Sequence, residues 1–410
     1  MQELCPNGVE YRKLEECCNI LDKKRRPVTK AARVAGEYPY YGANGIQDYV
    51  SDYIFDGTFV LVGEDGSVIT KAGTPVVTWA EGKIWVNNHA HIIEEQKGVL
   101  LRYLFHYIQT IDVTPLIHGN IPKLTGGDFR ALQIPVPPLE VQSEIVRILD
   151  NFTELTAELT AELTARKKQY EYYRDNLLSF DDNIVIKRIG DMTRVFSASR
   201  VHKDEWTAGG VPFYRSSDVI SFFNGVENSR GKAFISKELY EKLSAKSGKI
   251  CKDDILITGG GTIGIPYIVP NDNPIYVKDA DLLCIQHSKE FDSRYLYHYF
   301  LSTPFRDYLK GITHDATIPH YTISQVCETP VPLPALEVQK RLVDVLDNFE
   351  AICSDLKIGL PAEIEARQKQ YEFYRDALLT YAATGKTILT DRQTDRQTDR
   401  QTDRQTDRRV

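Results

Sequence analysis

Gln169-Tyr170-Glu171-Tyr172-Tyr173-Arg174-Asp175 returns as Gln370-Tyr371-Glu372-Phe373-Tyr374-Arg375-Asp376. Upstream of it, Leu139-Glu140-Val141-Gln142 returns as Leu336-Glu337-Val338-Gln339, and Leu149-Asp150-Asn151-Phe152 as Leu346-Asp347-Asn348-Phe349. Blocks this long, in the same order and roughly 200 residues apart, mark two copies of one large unit. Two similar units in one chain suit a two-part target or two copies of one partner.

Working outward, the duplication continues in weaker form. Tyr38-Pro39-Tyr40-Tyr41 parallels Val211-Pro212-Phe213-Tyr214. Phe59-Val60-Leu61-Val62 before a Gly-rich turn parallels Ile255-Leu256-Ile257-Thr258 before another. Arg102-Tyr103-Leu104-Phe105-His106-Tyr107 parallels Arg294-Tyr295-Leu296-Tyr297-His298-Tyr299, and Ile121-Pro122 parallels Ile318-Pro319. Segments before Leu139 and Leu336 share only this framework, whereas the segments after them are near copies, so variable and constant parts alternate. In the variable parts, the apolar runs 58–62, 83–86, 254–257 and 267–269 lie between Gly, Asn and Asp clusters and predict strands. Helices are expected near Leu100–Ile111 and Ser293–Leu309. Each variable part is thus a mixed α/β domain of ordinary size.

The constant parts read as helix. No Gly or Pro interrupts Val141–Leu178, a run about 57 Å long if helical. Ile145, Leu149, Phe152, Thr156, Leu159, Leu163, Arg166, Tyr170, Tyr173 and Leu177 step by fours and threes, the seam of a helix packed on another helix. Pro135, Pro137 and Pro138 form a stiff entry, and Gly359-Leu360-Pro361 predicts a break in the second copy. The two constant regions are expected to pair antiparallel as a rod.

Hydrophobic content of 42% and charged content of 26% are those of a globular protein. No stretch approaches the apolar length of a membrane span, and the N-terminus lacks a basic-then-apolar secretion signal. Seven cysteines without a CxxC pair point to reduced thiols in a cytoplasm, with neither a disulfide framework nor a zinc site. A net charge of −7 argues against non-specific coating of nucleic acid but leaves room for local basic faces.

Two tetrapeptide arrays stand out. Thr156-Ala157-Glu158-Leu159 repeats as Thr160-Ala161-Glu162-Leu163, and its strong helix formers extend the helix between the two copies. Each unit adds about 6 Å of rise, against about 3.4 Å per base pair of a duplex, which suggests a ruler. The second array, Thr390-Asp391-Arg392-Gln393, is given four times up to Gln405 and holds nothing to bury, so disorder is expected. A four-base repeat ACAG read in triplets encodes Thr, Asp, Arg and Gln in turn. We hypothesise a slippage-prone tract and phase variation of the C-terminus; constant copy number with mixed codons among sibling clones would sink the idea.

Gly259-Gly260-Gly261-Thr262-Ile263-Gly264 satisfies G-x-G-x-x-G after a strand, but Ile265-Pro266-Tyr267-Ile268 follows where a phosphate-facing helix should begin. A tight turn between strands is the expectation. No P-loop, no adenine-methylase Asn/Asp-Pro-Pro-Tyr/Phe motif and no nucleophile–base–orienter set is present, so the chain is expected to catalyse nothing by itself. Instead its loops carry groups that suit base edges and phosphates. In the first copy these are Lys24, Arg25, Tyr41, Asn44, Lys71, Asn87, His118, Asn120 and Lys123. In the second they are Tyr214, Arg215, Ser216, Ser217, Lys278, His314, Thr317 and His320.

On Pro6-Asn7-Gly8-Val9-Glu10-Tyr11, the Ile-Pro and Pro-Leu-Glu-Val-Gln blocks, Leu-Asp-Asn-Phe, the doubled Gln-Tyr-Glu-x-Tyr-Arg-Asp and the Thr-Ala-Glu-Leu array, residues 1 to about 385 resemble the specificity subunit of a type I restriction-modification system. The resemblance implies an α/β fold with long helices: two mixed α/β target recognition domains separated by an antiparallel helical coiled-coil rod, pseudo-two-fold symmetric. The domains would be 1–138 and 182–335, the helical spacers 139–181 and 336–385, and the tail 386–410. It implies a non-catalytic chain that reads a bipartite site in double-stranded DNA. Two modification subunits carrying S-adenosylmethionine and two restriction subunits using ATP and Mg would join it, away from any membrane. Phe152, Tyr170, Tyr173, Arg174, Phe349, Tyr371, Tyr374 and Arg375 are the candidate partner-binding positions on the helices. In that family the array's copy number sets the spacer of the site. The TDRQ tail departs from the family pattern, and the Gly-Leu-Pro break has no counterpart in the first copy. Rival readings are a free-standing DNA methyltransferase using the Gly-rich turn and a coiled-coil scaffold that does not touch DNA.

Overall fold

The computed structural model describes residues 9–66, 68–180, 183–225, 232–313, 319–355 and 358–385. Residues 386–410, and with them the TDRQ array, lie outside the described residues. The chain divides into two compact units, 1–157 with 366–410, and 158–365. The first boundary falls inside the Thr-Ala-Glu-Leu array, so the helix Leu139–Leu177 gives its first part to one unit and its second part to the other.

Unit 1 is built on a six-stranded sheet in the order Cys18–Ile20, Ala90–Glu95, Phe55–Gly63, Val77–Val86, Ala35–Gly42, Gly45–Val50. All its pairings are antiparallel except that of Ala35–Gly42 with Val77–Val86. Side chains alternate across a strand. Val60 and Val62 therefore enter the core beneath the helix Leu101–Ile108, while Phe59 and Leu61 fill a second core on the opposite face. The first core also takes in Ile145 and Leu149 of the long helix and Tyr371, Leu379 and Ala382 of the helix Leu360–Thr384. Glu10–Lys13 pairs with Gln133–Val136 immediately before Pro137-Pro138, which fixes where the long helix begins.

Unit 2 holds two four-stranded sheets. One runs Val195–Ser197, Leu282–Ile285, Ile255–Thr258, Pro266–Ile268; the other runs Trp206–Thr207, Ala233–Ile235, Val211–Tyr214, Tyr276–Val277. Ile255 and Ile257 face the core shared with the helix Ser293–Leu301 and with Leu346 and Tyr170, whereas Leu256 faces the core under the second sheet. Ile186–Arg188 pairs with Pro330–Pro332 just as Glu10–Lys13 pairs with Gln133–Val136.

Two sequence expectations are corrected and a third is refined. The single helix expected near Ser293–Leu309 is two, Ser293–Leu301 and Thr303–Thr313. Pro304 has no N–H to continue the first ladder, and a proline suits the first turn of a new helix. The heptad seam also turns after Tyr170. Arg174 and Leu178 are buried at steps of four, while Tyr173 is half-exposed, because a straight helix drifts away from a strict 3.5-residue repeat. Finally, the second-copy helix does break and restart as expected, but it stops at Ser354 and restarts at Leu360, so of Gly359-Leu360-Pro361 only Gly359 lies in the break.

Candidate nucleic-acid interface

The duplicated motifs converge on one polar node in each unit. In unit 1, Asp150 accepts from Arg102 Nε at 2.7 Å and from His106 Nε2 at 2.9 Å, and the Tyr371 hydroxyl donates to His106 Nδ1 at 3.0 Å. In unit 2, Asp347 accepts from Arg294 Nε at 2.7 Å, His298 Nε2 lies 2.7 Å from Asp347, and Tyr170 is 2.9 Å from His298 Nδ1. The tyrosine of each node comes from the other copy's constant region, so the two copies exchange their last blocks. Stacked pairs repeat the pattern: Phe152 on Tyr374 and Tyr173 on Phe349, both at 5.3 Å. The helices of each unit run antiparallel. Burial holds His106 neutral, its pKa pulled down to about 4 against the opposing effect of Asp150.

The glutamine of Leu-Glu-Val-Gln has a matching duty. Buried Gln142 accepts from Leu100 N at 2.9 Å and donates to Pro137 O at 2.7 Å; buried Gln339 accepts from Asp292 N and donates to Pro334 O, each at 2.8 Å. Each one ties the start of a domain helix to the start of a constant helix. Of the eight candidate partner-binding positions, Tyr170 and Tyr371 belong to the nodes and Phe152, Tyr374, Tyr173 and Phe349 to the stacks. Arg174 and Arg375 pair with the adjacent Asp175 and Asp376 and lie over the rings of Tyr170 and Tyr371.

At the loop end, the two units share a backbone frame. In unit 1, Asn87 N donates to Tyr41 O, Glu64 N to His89 O, Leu124 N to Glu64 O and Gly63 N to Val76 O. In unit 2, Lys278 N donates to Tyr214 O, Gly259 N to Asp281 O, Tyr321 N to Gly259 O and Thr258 N to Ile265 O. A β-bridge joins Asp65 to Lys123 in one and Gly260 to His320 in the other. These bonds make Glu64 the structural counterpart of Gly259, one residue out of step with the strand sequences. A Cβ on Gly259 would meet the carbonyls of Ala280 and Tyr321 at 2.8 Å. The Gly-rich segment is therefore a crossing point of three segments of the chain at the end of an antiparallel hairpin, and a strand, not a phosphate-cradling helix, follows it.

In unit 1 this end forms an open cleft of about 550 Å³ lined by Asn44, Gln47, Asp65, His89, Ile121 and Lys123. Lys123 Nζ is 3.3 Å from Glu64, and Asp65 pairs with His89. Lys24, Lys71, Asn44, Asn120 and His118 are exposed, His118 lying 3.5 Å from Asp128. In unit 2, His320 and Lys278 are exposed, with Lys278 Nζ 2.6 Å from Asp281. His314 and Thr317 lie outside the described residues.

Several candidates are engaged elsewhere. Arg25 is inserted among Asp22, Glu64 and the carbonyl of Ala90, its guanidinium 2.6 Å from Glu64, and cannot grip a backbone phosphate there. Tyr41 is a core residue, and burial raises the pKa of its hydroxyl. Asn87 is 2% exposed and caps its own turn by accepting from His89 N. Arg215 is clamped on Asp218, and the Ser216 hydroxyl donates to Asp281 O. Tyr214 packs edge-on against Phe222, and Ser217 is half-buried on the first turn of a helix. Arg25 and Asn87 are flanked by the exposed residues Lys24 and Asn88, so sequence proximity alone could not separate them. Asp65, His89 and Asp281 were not anticipated; the parallel between the two Gly-containing turns was the signal that pointed at them.

Two clusters carry ligand types for a metal, Asp22–Glu64–His91 and His298–Asp347–Glu350. Arg25 sits between the carboxylates of the first, and Arg294 bonds both carboxylates of the second. With a guanidinium already supplying the positive charge, both are ion-pair clusters.

Two like-built α/β units, each docked on antiparallel helices and presenting a polar loop end without a nucleophile–base set among the described residues, define a two-headed recognition protein. The chain belongs to the family described as the type I restriction modification DNA specificity domain, whose model matches residues 6–166 and 181–366. It is 37% identical over 385 residues to a Haemophilus influenzae protein named as a type I restriction enzyme specificity subunit, covering 91% of this chain and 96% of that one. It is 30% identical to the Escherichia coli EcoR124I/EcoR124II specificity subunit, over 70% of this chain and 72% of the relative. The type I S subunit from M. genitalium matches in fold with a TM-score of 0.50 at 16% identity, over 93% of this chain and 98% of that one. A chain from a type I R-M system assembly matches at 0.52, with the same identity and coverage. The protein is a non-catalytic DNA specificity subunit, and neither the methyltransferase nor the scaffold reading finds support. Among the described residues, no helix is long and apolar enough to cross a membrane.

Proposed function

We propose that each unit reads one half of a bipartite duplex site, with target recognition domains spanning 1–138 and 182–335 and the constant helices acting as spacer and docking surface. The observation that carries this reading is the shared loop-end frame bearing different side chains, as two readers of different half-sites require. Base edges are addressed by exposed amides and cations at that end, and Lys24 and Lys71 suit phosphates. Co-expression with a modification subunit, followed by single-molecule methylome sequencing, should reveal a two-part motif with a fixed gap. A continuous motif would end this reading.

The docking proposal rests on the helix Leu336–Ser354, which buries Gln339, Leu346 and Cys353 at heptad steps and exposes Val338, Val345 and Ile352 at the same steps on another face. Unpaired apolar residues on a second seam suit a partner helix. We assign that partner as a modification subunit, two per complex. It would bring S-adenosylmethionine, with ATP and Mg on the restriction subunits, in a cytoplasmic complex. Val345→Glu should lower the modification subunit from two copies to one per specificity chain in the purified complex while leaving far-UV circular dichroism unchanged; an unaltered stoichiometry would remove this seam from the interface.

A further inference from the structure

The common frame separates residues that build the loop end from residues that differ on it. Backbone bonds align Asp65 with Gly260, His89 with Asp281 and Lys123 with His320. Lys123 and His320 each follow a proline and sit at the end of a bridge whose next residue, Leu124 or Tyr321, is buried and bonded to the facing turn. Gly66 N also donates to Pro122 O at 3.0 Å. The side chain after each Ile-Pro pair is thus carried on a rigid mount and points from a buried neighbour toward solvent, because successive side chains alternate.

We infer that Lys123 and His320 are the base-reading positions of the two units, and that Lys123 selects guanine. This rests on the DNA-reading function proposed above. Asp65 lines the cleft around Lys123, and the mostly buried Glu64 lies 3.3 Å from the Lys123 ammonium. The Lys123 charge is already paired with Glu64, which weakens its pull on a phosphate, whereas a base edge carries no net charge and needs only the ammonium's remaining donors. Glu64 already accepts from Arg25, and an ammonium has three donors, so Lys123 keeps hydrogens free for a ligand. It offers donors only. In the major groove guanine presents two adjacent acceptors, O6 and N7, whereas adenine sets its one acceptor beside an amino donor, cytosine presents an amino donor, and thymine presents a single acceptor beside a methyl group. In unit 2 the lysine is replaced by an imidazole and the facing Asp65 by Gly260, which has the Asp281 carboxylate and the His320 ring beside it, so the same mount offers a shorter, flatter group. A different base is read there.

The test uses the full chain assembled with its modification subunit, with the methylome as readout. Lys123→Ala should make one guanine of a single half-site degenerate, with discrimination lowered roughly tenfold and the other half-site unchanged. Lys123→Arg should keep the guanine, which guards against loss through misfolding. His320→Ala should relax one position in the opposite half-site only. An unchanged motif in Lys123→Ala would overturn the assignment, as would a uniform fall in methylation at all sites with a shallower salt dependence, the mark of a phosphate contact. Absence of any two-part motif for the unaltered chain would instead strike the underlying reading.

Discussion

Insertion of one further Thr-Ala-Glu-Leu unit after Leu163 should abolish methylation at the original sites and create methylation at sites whose gap is one or two base pairs longer, with both half-sites unchanged. The helix Leu139–Leu177 runs through the array without a break, and the division between the two units falls at Ala157 and Glu158 within it. Four residues add about 6 Å of rise and about 40° of rotation beyond a full turn. A base pair of B-DNA adds about 3.4 Å and, at 10 to 10.5 pairs per turn, roughly 35°. Rise alone asks for nearly two base pairs and rotation for about one, so the gap should change by one or two base pairs. Methylome sequencing reads the gap directly. An unaltered gap would show that the array is no ruler.

Acid should loosen unit 1 through His106. Its folded pKa of about 4 lies below the ordinary value of 6.5, chiefly because the ring is buried. Between these values the unfolded chain binds the proton and the folded chain does not, so stability rises with pH across that window. The contribution is fully present above 6.5 and lost as pH falls toward 4, roughly 3 kcal/mol over about 2.5 units. That is a large share of the stability of a typical domain. Hydrogen exchange in Leu101–Ile108 should therefore accelerate strongly between pH 7 and pH 4.5, after correction for intrinsic exchange. His106→Gln should flatten the dependence. A variant with the same acid response as the unaltered chain would move the effect to another group.

The nodes explain why the duplicated blocks take the form they do. Leu-Asp-Asn-Phe supplies the carboxylate, Arg-Tyr-Leu-x-His-Tyr the guanidinium and imidazole, and Gln-Tyr-Glu-x-Tyr-Arg-Asp the phenol. Removing the carboxylate, the imidazole or the phenol leaves a buried donor or acceptor without its partner, which costs about 1–3 kcal/mol. Gln142 and Gln339 make the same argument for Leu-Glu-Val-Gln, since each bonds two backbone groups at a junction.

What the sequence determined by itself was everything that depends on local pattern: the duplication, the long Gly- and Pro-free helix, the strands on either side of the Gly-containing turns, and the family. Periodicity and chain-breaking residues act within a few residues, so they can be read along the chain. Tertiary structure decided the exchange of Tyr371 and Tyr170 between copies, because a sequence repeat does not say which copy a block will pack against. It also decided which polar loop residues are free. Arg25 and Lys24 are neighbours, yet one is locked to Glu64, 39 residues away, and the other faces solvent. Burial and charge pairing are set by such distant residues, and so only the folded chain could separate Lys123 and His320 from the candidates around them.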